Sequence, residues 1–272
     1  PVVGIGPGSQ PVEEPLLTLD LPSDMATFRP PINDSRAPAA VYRAALGVLR
    51  EVLTGMTVLP YDLANPVVHS CLGLNPAVLA EVNEMLGQGE VSIQAPRQGL
   101  SAQETTFTGI WRVRGEGVDL IEAGAFPVML RRLALNRLPP RAAAPGPAAG
   151  LMNAPALLAE IRDRSARCLP GHEAHVINLS LLPVTPEDLD FLDQALGRAD
   201  ISILSRGFGN CRITATAHPH VWWVQYFNAM EKLILNSVEV VDLPAVALAA
   251  EEDYRDSRLR LAEWLECLEA AR

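Results

Sequence analysis

Apolar residues recur at helical spacing at Leu189, Leu192 and Leu196, with Phe191 beside them. Thr185-Pro186 opens that run and Gly197 closes it. A capping hydroxyl followed by proline suits a helix start, where no amide is needed, and glycine tolerates the backbone reversal at a helix end. Asp188 takes the place of the acid in a capping-box variant. The spacing therefore predicts a helix over 185–197. Around it the pattern changes to short runs of branched and aromatic residues at 176–182, 201–204, 212–217, 221–227 and 233–241, which read as strands. Strands that follow one another through tight turns predict antiparallel pairing and an α+β class rather than alternating βαβ.

The same order of signals occurs earlier in the chain. Asn75-Pro76-Ala77-Val78-Leu79 matches Thr185-Pro186-Glu187-Asp188-Leu189 at an offset of 110, and the match runs on through Leu86-Gly87 with Leu196-Gly197. At offset 111, Thr105 meets Thr216 and Ile110-Trp111 meets Val221-Trp222; after six more inserted residues, Glu122 meets Glu239 and Pro127 meets Pro244. These matches predict two tandem pseudo-symmetric copies of a helix-plus-antiparallel-strand unit, at 38–133 and 152–248. Residues 1–37 read as an extended N-terminal arm, and 134–151 as a Pro/Ala-rich linker. Arg131, Arg132, Arg137 and Arg141 gather at the linker's entrance, as a solvated cluster or a contact for an acidic partner. Over 249–272, Tyr254, Leu261, Leu265 and Leu268 fall on one stripe of an amphipathic C-terminal helix, expected to pack on its own unit.

Composition narrows the classes of function. The chain has 272 residues, 32 acidic against 22 basic side chains, and 49% hydrophobic residues. That is enough apolar material for a sizeable core. The acidic balance excludes general nucleic-acid binding, which depends on Lys and Arg to displace counterions. Lys232 is the single lysine. The long uncharged tracts Ala142 to Ala159 and Ile213 to Met230 both contain prolines, so no membrane insertion is expected. Cys71, Cys168, Cys211 and Cys267 are widely separated, without zinc-ribbon spacing or a disulfide framework, which fits a reducing cytoplasm. There is no P-loop, nucleophile elbow, H-E-x-x-H or dinucleotide fingerprint. Two histidine groups stand out: Cys168, His172 and His175 as C-x3-H-x2-H, and His218-Pro219-His220. Each reads either as polar turn surface or as metal ligands. Cys211 with a nearby histidine would make a nucleophilic pair, provided its thiol were activated; a structural Cys on a strand is the other reading. No catalytic, metal or cofactor-binding residue is assigned from these patterns.

The densest segment is Arg206, Gly207, Phe208, Gly209, Asn210, Cys211 and Arg212, followed by Trp222 and Trp223. Glycines flanking an aromatic permit a tight exposed turn, and adjacent tryptophans on a strand face opposite ways, so one can be core and the other exposed for a partner; the other reading has Cys211 and both tryptophans filling the core of the sheet. The matching stretch of the first unit, Pro96-Arg97-Gln98-Gly99-Leu100, has no thiol. These residues are the candidate partner-binding site.

Ser205 to Ile213, then Val221-Trp222-Trp223-Val224-Gln225-Tyr226-Phe227-Asn228, then Leu233 to Asn236 and Val240-Val241-Asp242-Leu243-Pro244 resemble the HupH/HoxQ/HyaF family of hydrogenase expression/formation proteins. The resemblance spans about 152–265 and, less closely, the first unit, including Glu104-Thr105-Thr106-Phe107-Thr108-Gly109-Ile110-Trp111. Phe208 stands where that family more often has tyrosine. The resemblance implies a non-enzymatic accessory protein, a chaperone or scaffold, in maturation of an uptake [NiFe]-hydrogenase. Its implied partners are the iron–sulfur small-subunit precursor, held before export and assembly, and a second hydrogenase accessory protein. Two other readings stay open: a thiol- or metal-dependent enzyme built on Cys211 and the histidines, and delivery of an iron–sulfur cluster. One thiolate in the segment is too few for a four-cysteine cluster.

Overall fold

The computed structural model describes residues 37–137, 150–169, 171–207 and 209–270. The N-terminal arm expected over 1–37, most of the linker expected over 134–151, and Phe208 lie outside the described residues. The first half of the chain supplies α1 (Ala39–Val58), β1 (Val67–Ser70), α2 (Pro76–Leu86), β2 (Val91–Ala95), β3 (Leu100–Glu104), β4 (Ile110–Gly115), β5 (Val118–Ala123) and α3 (Val128–Leu135). The second half supplies α4 (Ala154–Arg167), β6 (His175–Asn178), α5 (Pro186–Leu196), β7 (Arg198–Ser205), β8 (Asn210–Thr216), β9 (Val221–Phe227), β10 (Leu233–Val240) and α6 (Glu251–Ala270). This is a mixed α and β architecture with a C-terminal helix, as the pattern predicts.

All the strands join one 10-stranded antiparallel sheet in the order β1-β5-β4-β3-β2-β7-β8-β9-β10-β6. Its middle is the pairing of β2 with β7, Val91 opposite Ser205 and Gln94 opposite Ser202. Outward from that seam the order is second, third, fourth, fifth and first strand of each half.

Local chemistry explains the element ends. Thr185 Oγ1 accepts from the Asp188 amide, and Asp188 Oδ2 accepts from the Thr185 amide, both at 3.1 Å, so the capping box forms. Asn75 Oδ1 caps α2 by accepting from the Ala77 amide at 2.9 Å. Gly87 and Gly197 close the two helices at φ 61° and 60°, where a side chain would be strained. β6 is shorter than the 176–182 run suggests. Asn178 turns the chain there: its side chain accepts from the Ser180 amide at 3.0 Å and its carbonyl from the Leu181 amide at 3.2 Å.

Several long-range bonds recur at matched positions. The Thr106 amide donates to Leu86 O, and the Ala217 amide to Leu196 O, each at 3.0 Å. Thr105 Oγ1 receives the Phe107 amide as Thr216 Oγ1 receives the His218 amide, both at 3.2 Å. Trp111 Nε1 donates to Gly124 O at 3.0 Å, and Trp222 Nε1 to Val241 O at 3.1 Å. The Gly124 amide donates to Gly109 O, and the Val241 amide to His220 O, each at 2.8 Å.

Strand alternation divides the core into three clusters. On one face, α1, α2 and α6 pack over Val67, Ile110 and Ile121. On the same face at the other end, α4 and α5 pack over Ile177, Val221, Trp223 and Val238. The opposite face carries Ile93, Trp111, Ile203, Cys211, Ile213, Trp222 and Val224 beneath α3 and the 243–248 segment. The C-terminal helix thus corrects the expectation that it packs on its own unit. Tyr254, Leu261, Leu265 and Leu268 join the first half's cluster, because the stripe they form finds the unfilled apolar face of α1 there. The arginine cluster is also partly corrected: Arg137 is half-buried, its guanidinium 4.6 Å over the Trp222 ring and donating to Thr216 O at 2.6 Å.

Candidate functional site

The β7–β8 turn is an exposed surface feature of the second half. Arg206, Gly207 and Gly209 are exposed and Asn210 is half-buried. Gly209 has φ 99°, a conformation that admits glycine and few others. Gly207 lies against the exposed Glu90 side chain, which would have to shift to admit a Cβ, and the Arg206 amide donates to Glu90 O at 3.1 Å. The turn is therefore braced against the end of the first half.

Register places the β9–β10 turn beside it, since Asn210 pairs with Phe227. Glu231 in that turn receives the Asn210 amide group on Oε1 and the Arg212 guanidinium on Oε2, the latter at 2.6 Å. The Arg212 guanidinium also lies 4.3 Å over the Phe227 ring. Glu231 takes φ 58°, strained for a residue with a side chain, and Asn228 Oδ1 holds the loop by accepting from the Met230 and Lys232 amides. Met230 is 83% exposed. The two turns thus form one hydrogen-bonded end of the sheet, with Arg206, Met230 and Lys232 exposed on it. Met230, Glu231 and Lys232 were missed from sequence. The signal that reveals them is the hairpin register, which brings residues far apart in the chain to adjacent turns.

Three expected site residues lie elsewhere. Cys211 is 1% exposed, Trp222 0% and Trp223 2%, so none of them is at the surface. The tryptophans do face opposite ways, but both faces of the sheet are covered. Trp222 Nε1 finds the Val241 and Asp242 carbonyls, and Trp223 Nε1 finds Asn236 Oδ1 at 2.6 Å, so both indoles satisfy their donor inside. Cys211 is a free thiol. Burial pushes it up to about 12, a hydrogen bond with Tyr226 pulls it down, and Glu239 adds repulsion. A thiol in that state is a poor nucleophile at neutral pH.

The histidines do not assemble as their spacing suggested. His175 Nε2 pairs with Glu160 at 2.7 Å, and buried His218 contacts Ala195 O at 3.3 Å. Pro219 sits in the turn between β8 and β9, as expected. Among the described residues no helix is long and apolar enough to cross a membrane.

Comparison with known proteins adds the family. The hydrogenase expression/formation protein HupH of Rhodobacter capsulatus is 44% identical over 280 residues, covering 98% of this chain and 97% of that protein. The chain belongs to the HupH hydrogenase expression/formation family. The profile of the HupH hydrogenase expression protein C-terminal conserved region matches residues 151–268, which contain the β7–β8 turn and α6. The HupH-family relative HoxQ of Cupriavidus necator, also named a hydrogenase expression/formation protein, is 41% identical over 97% of this chain and 96% of its own. A solved structure of the hydrogenase expression protein HupH from Thiobacillus denitrificans is 33% identical, covers 41% of this chain and 92% of that one, and has a TM-score of 0.39.

Proposed function

We propose that this chain is a non-enzymatic accessory protein of [NiFe]-hydrogenase maturation that works in the cytoplasm. It holds the iron–sulfur small-subunit precursor before export and assembly, alongside a second accessory protein. The observation that supports this reading is full-length similarity to proteins named for hydrogenase expression and formation. The buried, unactivated Cys211 weighs against the thiol enzyme built on it.

The surface assigned to the partner is the paired turn. Arg206, Gly207, Gly209, Asn210 and Arg212, with Phe208 between the glycines, are joined by Met230 and Lys232. A holder needs a preformed surface with an apolar anchor and charged groups that fix orientation. Cys211 supports that surface from within, beside Asn210 and Arg212, whereas Trp222 and Trp223 pair with Ala215 and Thr214 toward the other end of β9 and pack the core there.

The domain reading belongs with this proposal. Residues 38–133 and 152–248 are copies of one unit, joined through the β2–β7 seam, with 134–151 linking them and 249–272 returning to the first copy. The matched hydrogen bonds and the mirrored strand order support it.

Tagged chain co-expressed with a small-subunit precursor should retain it through affinity purification. Arg206→Glu combined with Met230→Asp should lower retention by ~10-fold or more with an unchanged melting temperature, since interface anchors of this kind cost about 2 kcal/mol or more. No retention by the wild-type chain, or undiminished retention by the double variant, overturns the reading.

A further inference from the structure

Three chemically reactive side chains that the sequence scatters over 75 positions meet in the second half: Cys168, His220 and Asp242. One ligating atom from each, a thiol, a ring nitrogen and a carboxylate oxygen, lies within 4.8 Å of the other two. Each is half-buried or better, with the His220 and Asp242 side chains 20% and 11% exposed. Their positions are held independently. Cys168 is the C-cap of α4, and Ser165 Oγ ties that helix end to Pro219 O at 2.7 Å. The His220 carbonyl is bonded by the Val241 amide, and Trp222 Nε1 donates to Asp242 O at 3.2 Å.

Two further observations point to a ligand. His220 Nδ1 is 2.8 Å from Asp242 Oδ1, yet these two buried atoms lack the alignment of a hydrogen bond and have no other partner. An imidazole and a carboxylate paired side by side, with a thiol within reach and neither pairing atom in a hydrogen bond, make a donor set open to a cation. His220 also holds φ 59°, whereas Gly109 at the matched position has φ 81°. A side chain kept in that region suggests a role that offsets its strain.

We propose that Cys168, His220 and Asp242 form a three-ligand site for a borderline divalent ion of the zinc class. Thiolate, imidazole and carboxylate together select such an ion over Ca2+ or Mg2+, which take oxygen. Binding replaces the Cys168 thiol proton, which passes to solvent, and draws the thiolate inward. Three protein ligands leave a fourth position for water or for a side chain of a bound protein. Without an ion, burial and the Asp242 carboxylate raise the Cys168 thiol, so this trio is not a ready nucleophile; a cation reverses that preference.

The test uses the full chain with exposed Cys267 changed to Ser, stripped with chelator and titrated with Co2+ under reducing, anaerobic conditions. One Co2+ per chain should bind with a thiolate-to-metal charge-transfer absorption, and Zn2+ should displace it. His220→Gly is the decisive variant, because glycine suits that backbone and the fold is kept. Losses beyond the ligand shell cost about 10–100-fold in metal affinity, so removing a ligand should cost ~100-fold or more and abolish the band. Cys168→Ser should remove the charge-transfer absorption. Absence of the band in the parent, or its survival in His220→Gly, overturns the site.

Discussion

Gly109 in the first half and His220 in the second present the same backbone to different neighbours. Each carbonyl receives the amide that follows the last long strand of its half, at 2.8 Å, and each residue has positive φ. Over Gly109 lie Tyr254 and Ala249, so close that a Cβ would come within 2.8 Å of the tyrosine ring and 3.3 Å of the alanine. Tyr61 seals the same place, its hydroxyl donating to Ala249 O at 2.5 Å. Beside His220, Asp242 and Cys168 at the end of α4 lie close instead. Asp242 matches Ala125, whose carbonyl accepts the Ala249 amide. On the proposed reading of the halves as copies of one unit, the difference teaches how a shared frame acquires separate chemistry. The frame is backbone hydrogen bonding, indifferent to side chains. The single C-terminal helix covers the first half with apolar groups, and the matching hollow of the second half keeps polar ones.

The sharpest way to break that comparison is through the tryptophans. Trp111 and Trp222 are both 0% exposed, and both donate to a carbonyl just after the final long strand of their half. Trp111→Ala and Trp222→Ala should each lower stability by about 3–5 kcal/mol, as large-to-small core changes do. Denaturant melts check this. A Trp222→Ala chain that melts like wild type would mean the second half is not packed as the first is.

How much of this was legible beforehand depends on the range of each interaction. The caps at Asn75 and Thr185 are local chemistry, complete within four residues, and both helices begin where those residues say. Strands β8 to β10 were legible because branched and aromatic runs suit a pleated surface whatever covers it. What covers it was not legible. Trp222 and Trp223 look like one inward and one outward ring until both faces are known to carry helices or loops. Likewise the stripe on α6 says that the helix packs, and the unfilled face that receives it belongs to a helix more than 190 residues earlier. Cys168 and His220 stood out in separate motifs, and their meeting with each other and with Asp242 escaped for the same reason. Motif spacing searches neighbours in sequence, and these meet only through the β8–β9 turn and the end of α4.

A buried acid separates the halves in a second way. Glu104 is 5% exposed and accepts the Gly109 amide at 3.0 Å; at the matched position stands Ala215. Burial pushes the Glu104 carboxyl up to about 7 against the pull of that amide, with Glu90 and Asp253 adding repulsion. Between its ordinary value and about 7 the unfolded chain has released this proton and the folded chain has not. Stability therefore falls as pH rises through that window and levels off above it. Glu104→Gln keeps an oxygen for the amide and removes the titration. It should gain about 1–3 kcal/mol at pH 8 relative to wild type and little at pH 4. Urea melts at the two pH values measure it, and an equal effect at both would show that Glu104 titrates alike in the folded and unfolded chains.

The smallest effect is expected at His220 itself, and its smallness is informative. In metal-free protein, His220→Gly relieves a left-handed side chain, worth about 1–2 kcal/mol. It also restores to the unfolded chain the freedom of glycine, a loss of about 0.5–1 kcal/mol, and removes a partly exposed contact with Asp242. These terms nearly cancel, so the net change should stay below about 1 kcal/mol, a melting shift of no more than about 4 °C for a chain of this size. Adding Zn2+ then separates the halves' logic: wild type should gain stability by mass action and the variant should not. A large fall in the metal-free variant would mean that the imidazole packs the second half as Tyr254 packs the first, so the two hollows would share one structural task.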